Sequence, residues 1–234
     1  MIEVKNLTRS FISGAVETHV LKGVDFHAGP GDFIAIMGRS GAGKSTLMYQ
    51  MSLLDYPTSG EVIIDGRNAV SMDEVARVAI RLEKFGYVFQ DYALLPELSA
   101  LENVALPLFM QGKSKKQAYK EAERALKRVG LGTRLTNLPS QLSGGEQQRV
   151  SIARSVAHKP DVLFADEPTA NLDNESSKVV MEIFEELNRE GQTIIMVTHE
   201  EEFAQHADRI VFIDDGQIVK ESKGSKHRKH RHGS

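Results

Sequence analysis

The chain has no cysteine among its 234 residues. That excludes a disulfide framework and thiolate chemistry. It also lacks long apolar runs. Pieces such as "FIAIM" (33–37) and "VLFA" (162–165) fall far short of the roughly 20 residues needed to span a bilayer. The first residues, "MIEVKNLTRSF", have no apolar core of the kind a secretory signal needs. These gaps predict a cytoplasmic protein. Hydrophobic residues make up 41% and charged residues 26%, the balance of a globular chain long enough for a full core.

The tail "KGSKHRKHRHGS" (223–234) has nothing apolar to bury and is dense in Lys, Arg and His. It reads as an appended tag rather than a nucleic-acid-binding tail, leaving a domain over residues 1–222. The tail holds five of the 29 basic residues and none of the 32 acidic ones, so the rest of the chain carries a charge of −8. Such an acidic body argues against a broad nucleic-acid face, and no nucleic-acid partner is expected.

Two strand patterns are present. Ile2, Val4 and Leu7, then Val24, Phe26 and Ala28, alternate with period two, as half-buried antiparallel strands do. "SGEVIIDG" is another short strand between turns. By contrast "FIAIM", "YVF" (87–89), "VLFA" and "TIIMV" (193–197) are apolar throughout, as parallel strands covered on both faces are. Each is followed by unusual residues: Gly38, Gln90, Asp166 with Glu167, and His199. Ligands in open α/β sheets bind outside the carboxyl ends of strands, so these points predict one shared site.

Helices are expected at 44–54, after a Ser71-x-x-Glu74 capping box with Val75, Val78, Ala79 and Leu82 inward, at 114–129 before Gly130, and along Val179, Val180, Ile183, Phe184 and Leu187. No solid apolar strand occurs over about 91–160, which predicts a helical insertion. The expected fold is α/β: a core with a mostly parallel sheet, an N-terminal antiparallel β subdomain and an inserted α-helical subdomain.

"GRSGAGKST" (38–46) fits G-x-x-x-x-G-K-[ST] between a strand and a helix. Its glycines let backbone N–H groups converge on phosphates, Lys44 reaches the β- and γ-phosphates, and the Ser45 hydroxyl can ligate Mg²⁺. A chance match arises in roughly 1% of chains this long. "VLFADE" ends a buried strand with Asp166, placed to hold Mg²⁺ through water, and Glu167, placed to polarise an attacking water. An Asp-Glu pair alone is more often a plain strand exit; beside a phosphate loop it reads as catalytic. A lone histidine is usually structural, and His19, His27, His158 and His206 are read so. His199 differs in standing at a core strand's end, within reach of a γ-phosphate. Gln90, at another such end, can bind Mg²⁺ or the attacking water. Phe11 taken alone is a core residue of the β subdomain.

"LSGGEQQRV" (142–150) opens with a second capping box, Ser143-Gly-Gly-Glu146, ahead of Val150, Ile152, Ala153, Val156 and Ala157. Gly144 and Gly145 thus fall in a first turn, where N–H groups are free and the dipole is positive. Two glycines there cost about 1 kcal/mol each relative to alanine, more than packing alone is expected to demand.

Together these segments resemble the nucleotide-binding subunits of ABC transporters, over essentially residues 1–222. Gly38, Arg39, Ser40, Gly41, Ala42, Gly43, Lys44, Ser45 and Thr46 match Walker A. Gln90 matches the Q-loop, 142–150 the signature, "VLFADE" Walker B, "NLD" (171–173) the D-loop with Asp173, and His199 the switch histidine. "VFQDYALLPELSALENVALPL" and "ADEPTANLD" resemble the branch of lipoprotein-release, macrolide-export and cell-division ATPases (LolD/MacB/FtsE type). Three departures stand out: Phe11 where the adenine-stacking aromatic is often Tyr, Arg39 where Pro is usual, and Ala170 where this branch often has Gly.

The resemblance implies that the α/β core is a P-loop NTPase core, and that the chain is an ATPase using ATP and Mg²⁺. It implies a homodimer in the ATP-bound state, in which the phosphate loop of one subunit and Ser143, Gly144, Gly145 and Glu146 of the other enclose one nucleotide. It further implies a separate integral membrane permease, docked near Asp91–Leu98, with the ATPase peripheral on the cytoplasmic face of the cell membrane. Export or lipid extraction is the leading reading. The alternative is a regulatory, cell-division-type ATPase that signals without transport. DNA-repair and translation relatives need a long coiled-coil insertion or two ATPase domains, and this chain has neither.

Overall fold

A computed structural model describes residues 1–14 and 16–225. The chain divides into two compact units, one formed by Met1–Val78 with the segment from Asn188 onward, the other by Ala79–Leu187.

In the first unit, β1 (Ile2–Ser13) and β2 (Val16–Ala28) pair antiparallel, with Val4 opposite Phe26 and Leu7 opposite Val24. The alternating residues Ile2, Val4, Leu7, Val24, Phe26 and Ala28 are all buried, as their period predicts. β4 (Ser59–Ile64) and β5 (Arg67–Asn68) complete a four-stranded sheet in the order β2-β1-β4-β5. Beside it, β3 (Phe33–Met37) runs parallel to both β8 (Thr193–Val197) and β9 (Arg209–Asp214). β10 (Gln217–Lys223) returns antiparallel to β9. Every residue of β3 and β8 is buried, which is why both read as unbroken apolar runs. α1 (Lys44–Met51) packs on β8, and α7 (Glu201–Ala204) on β3.

The ordered chain extends past residue 222. Lys223 pairs with Arg209 in β10, Gly224 N donates to Asp208 O, and Ser225 N donates to Gln205 O. The rest of the expected tag, 226–234, lies outside the described residues.

α2 (Glu74–Lys84) forms where a helix is expected, but turned over and with a different cap. Asp73 Oδ1, not Ser71, accepts from Ala76 N at 2.8 Å, while the Ser71 hydroxyl donates to Asn68 O. Val75 is 79% exposed and Val78 40%, whereas Arg77 is 1% exposed. The guanidinium donates to Leu53 O at 3.1 Å and Asp55 O at 2.9 Å, and sits 3.7 Å from the centre of the Tyr56 ring. Carbonyl acceptors and an aromatic face make a charged residue the buried one.

In the second unit, β6 (Phe85–Val88) runs parallel to β7 (Val162–Asp166). β6 begins two residues before "YVF" because Gly86 belongs to it. A Cβ on Gly86 would lie 2.1 Å from Ser155 O, so glycine lets α5 (Gly144–Val156) approach the strand. α3 (Ala100–Met110), α4 (Lys115–Arg128) and α5 pack on one another, so the region from 91 to 160 is helical as expected. Ala118, Ala122, Ala125 and Leu126 form the buried face of α4, with Ser114 as its cap. α6 (Asn174–Arg189) buries Val180, Ile183, Phe184 and Leu187 and half-buries Val179.

Asn103, on α3, shapes the segment before its own helix. It is wholly buried; its Oδ1 accepts from Leu95 N, and its Nδ2 donates to Leu95 O, Leu98 O and Ser99 O at 2.9–3.1 Å. Asn103→Ala strands these groups. It is expected to destabilise the protein by about 2–3 kcal/mol and lower Tm by roughly 5–10 °C. An unchanged thermal unfolding curve would contradict this.

Candidate functional site

Within the first unit, the phosphate-loop motif leaves the carboxyl end of β3. Two of its three glycines answer to close packing, while Gly41 has open space around it and a left-handed φ of +79°. A Cβ on Gly38 would lie 2.2 Å from Ile213 O, and Gly43 has φ +103° with Val20 O and Leu21 Cδ2 each 3.0 Å from the Cβ position. Gly43 is also the N-cap of α1 and brings no side-chain acceptor, so the first N–H groups of α1 lack a side-chain cap. Arg39, Ser40 and Gly41 are exposed, Ala42 is buried, and Ser45 and Thr46 are half-buried.

The Lys44 ammonium is buried and donates to Gly38 O and Arg39 O, both at 3.1 Å. Two neutral carbonyls hold a full positive charge. Anionic oxygens in the loop are its natural counter-charge, so the cradle suits a polyphosphate.

His199 lies beside that loop. β8 is the parallel neighbour of β3, with Val197 opposite Ile36, and Thr198 N donates to Ile36 O at 3.1 Å. Gly38 and His199 therefore leave the same end of adjacent strands, and His199 is exposed there. Phe11 is not a core residue. It is 45% exposed on β1, and the Arg9 guanidinium lies 4.4 Å from its ring centre, held by the Asp55 carboxylate. One ring face is taken by Arg9.

Within the second unit, Gln90 and the Asp166–Glu167 pair leave the same end of parallel strands, with Val88 opposite Ala165. Asp166 is buried as the last residue of β7. Glu167 has φ +46°, a conformation that side chains with a Cβ rarely adopt and that costs about 1–3 kcal/mol. The next turn is fastened from α5, where the buried Gln148 Nε2 donates to Pro168 O at 2.6 Å.

Ser143 caps α5 as its sequence predicts. Its Oγ accepts from Glu146 N at 3.2 Å, and Glu146 Oε2 accepts from Ser143 N at 2.9 Å. Glu146 Oε1 takes Arg134 Nε at 3.0 Å. The Ser143 backbone bond, aided by Arg134, holds the Glu146 carboxyl below the usual carboxylate range. A depressed carboxyl stabilises the fold at neutral pH, and the cap loses that support only as acid protonates Glu146.

Packing demands more of the two glycines than their spacing suggests. A Cβ on Gly145 would lie 2.5 Å from Ser176 Oγ, and one on Gly144 3.0 Å from Tyr92 Oη. The chain's own contacts require the buried Gly145, since Ser176 Cβ would also lie 2.8 Å away, whereas at the half-buried Gly144 the end of the Tyr92 side chain would have to give by a few tenths of an ångström. Their N–H groups still lack intrahelical acceptors, as any first turn does.

Asp173 begins α6 in the same manner. Its carboxylate accepts from Ser176 N at 2.8 Å and Ser176 Oγ at 3.1 Å, and the first of these bonds lowers its pKa most. Ser176 thus joins Asp173 to Gly145. Asn171 Nδ2 donates to Gln90 O at 3.0 Å, and Tyr92 Oη donates to Asn171 O at 3.3 Å. The second unit therefore gathers four segments that stood apart in the sequence: the Gln90 turn, Ser143–Glu146, Asp166–Glu167 and Asn171–Asp173. Tyr92, Gln148, Arg154 and Asn171 hold them; all but Arg154 lie inside motifs quoted above, but the motifs gave them no such role.

The chain matches the ABC transporter family over residues 21–170. It is 48% identical over 219 residues to the uncharacterized ABC transporter ATP-binding protein MJ1508 of Methanocaldococcus jannaschii, covering 94% of this chain and 98% of that protein. It is also 48% identical over 225 residues to the macrolide export ATP-binding/permease protein MacB of Syntrophobacter fumaroxidans, with 95% of this chain covered but only 32% of MacB. The chain thus spans about a third of the MacB proteins it matches. Among solved structures it superposes on the dimeric ATP-binding cassette MJ0796 in a post-hydrolysis state with ADP and Pi, at a TM-score of 0.89 and 39% identity, covering 95% of this chain and 98% of that one. Similarity of this depth, over nearly the whole length, settles the family: the chain belongs to the ABC transporter family, as an ABC ATPase cassette.

Proposed function

We propose that the chain is the Mg²⁺-dependent ATPase subunit of an ABC transporter, closing as a homodimer around two ATP molecules to drive a separate membrane permease, with export or lipid extraction as its direction. The dimeric form of MJ0796, similar over 95% of this chain, supports the assembly most directly. The MacB relatives, whose names join ATP-binding and permease functions in one protein, support the membrane partner and the export direction. No helix among the described residues is long and apolar enough to cross a membrane, so the spanning part would come from another segment or chain.

In this reading the backbone of Gly38–Thr46 and the Lys44 ammonium bind the phosphates, and Phe11 stacks on the adenine with the ring face opposite Arg9. The Ser45 hydroxyl, Gln90 amide and Asp166 carboxylate are the hard oxygen donors that suit Mg²⁺, which would neutralise phosphate charge when bound. Glu167 orients and deprotonates the attacking water, and His199 donates to the γ-phosphate. Ser143, Gly144 and Gly145 face the partner's γ-phosphate, with Glu146 holding Ser143 in place and Asp173 fixing the α6 end beside it.

The permease reading is tested by reconstituting the chain in proteoliposomes with the permease encoded beside it. ATP-driven movement of a lipophilic substrate across or out of the bilayer is the expected result. Partner-dependent ATPase without any such movement would favour the signalling alternative.

A further inference from the structure

Gln90 is followed by a backbone turn that residues with side chains rarely adopt. Tyr92 has φ +65° and Ala93 φ +48°, and Ala93 N donates to Asp91 O at 2.7 Å. Two consecutive left-handed residues need outside support. Arg154, in the last turn of α5, gives it: Nη1 donates to Ala93 O at 2.6 Å and Nη2 to Tyr92 O at 3.0 Å. The Asp91 carboxylate acts on the same guanidinium, partly opposing the fall in its pKa that burial causes. A guanidinium fork can hold two carbonyls at once in fixed geometry, which an ammonium cannot.

A second tie reaches Gln90 itself. Asn171 Nδ2 holds Gln90 O, while Tyr92 Oη returns a bond to Asn171 O. Gln90 is thereby fastened through its own carbonyl to the segment that carries Asp173, and the turn after it is fastened to the signature helix.

We propose that Arg154 and Asn171 are positioning residues for Gln90: Arg154 clamps the left-handed turn, and Asn171 makes Gln90 and the Asp173 segment shift together. Displacement of loop 91–98 would then reach both at once. The inference rests on the reading of Gln90 as a ligand of Mg²⁺ or of the attacking water.

Arg154→Met keeps the aliphatic stem and removes the fork. Its kcat is expected to fall about 10–100-fold, the loss typical of a misplaced reacting group, with KM for ATP changed less than about threefold. The Mg²⁺ concentration giving half-maximal rate should rise. Arg154→Lys should restore only part of the loss. Amide exchange at residues 90–93 in the Mg²⁺-free protein should quicken without a matching global change. The Arg154→Met/Gln90→Ala double variant should be no slower than Gln90→Ala, because both act through one group. Asn171→Ala, at an exposed position, should shift the same readouts in the same direction and covers the case in which Arg154→Met folds poorly. Multiplying defects in the double variant, or a lowered Tm with kcat, Mg²⁺ response and local exchange unchanged, would overturn the positioning role. Wild-type kcat and Mg²⁺ response in Gln90→Ala itself would instead remove the reading of Gln90, and this role with it.

Discussion

Glu167→Gln is expected to cut ATP turnover by about 10³-fold or more while leaving ATP binding intact. The substitution keeps size and hydrogen-bonding capacity and removes only the ability to take a proton. The site explains why such a small change should matter. Glu167 is held at φ +46° directly after a buried strand, with the following turn pinned by Gln148 on Pro168 O. That conformation persists because its surroundings fix it, and in the proposed reading it sets the carboxylate that takes the proton. With hydrolysis blocked, bound ATP should accumulate at the dimer interface, and size exclusion with ATP should return a dimer. Retained turnover in the steady state, or a monomer under these conditions, would contradict the account.

Much of this was legible because some signals are local. The phosphate loop is nine consecutive residues between a strand and a helix, and β3 and β8 are buried along their whole length, so both read directly. The capping box at Ser143 read equally well, since it is a contact within four residues, whereas the box expected at Ser71 gave way to Asp73. What failed to read depends on distant partners. Periodicity located α2 but not its inward side, because burial of Arg77 depends on carbonyls of Leu53 and Asp55. Gly144 and Gly145 looked surplus to packing because Tyr92 and Ser176, which press on them, are far along the chain. The left-handed residues at 92, 93 and 167 carry no composition signal, and neither do Arg154 and Asn171 that hold the first two. Phe11, in step with the buried Leu7 by sequence, leaves the core because the register of β1 shifts between Leu7 and Thr8 and again between Arg9 and Ser10, which alternation alone does not show.

The second large effect concerns sharing of the nucleotide. Lys44→Ala removes the buried ammonium that faces the phosphate loop, and each variant homodimer should be inactive because both of its sites have lost that charge. Ser143→Arg places a bulky cation at the N-terminus of α5, where the helix dipole already repels positive charge, and it destroys the cap on Glu146 N. Its homodimer should be inactive for a different reason: both signature ends are blocked. If the phosphate loop of one chain and the signature of another form one site, a mixed dimer behaves differently from either parent. One of its sites carries both lesions, and the other carries none.

The most direct test is therefore an equal mixture of Lys44→Ala and Ser143→Arg subunits, with mixed dimers confirmed by co-elution through two different tags. Random pairing makes half of the dimers mixed, each with one intact site. The account predicts about a quarter of wild-type ATPase activity. If turnover needs both sites, it predicts one trapped ATP per mixed dimer instead. A mixture that neither hydrolyses nor traps ATP beyond what each variant achieves alone would contradict the claim that two chains share each nucleotide.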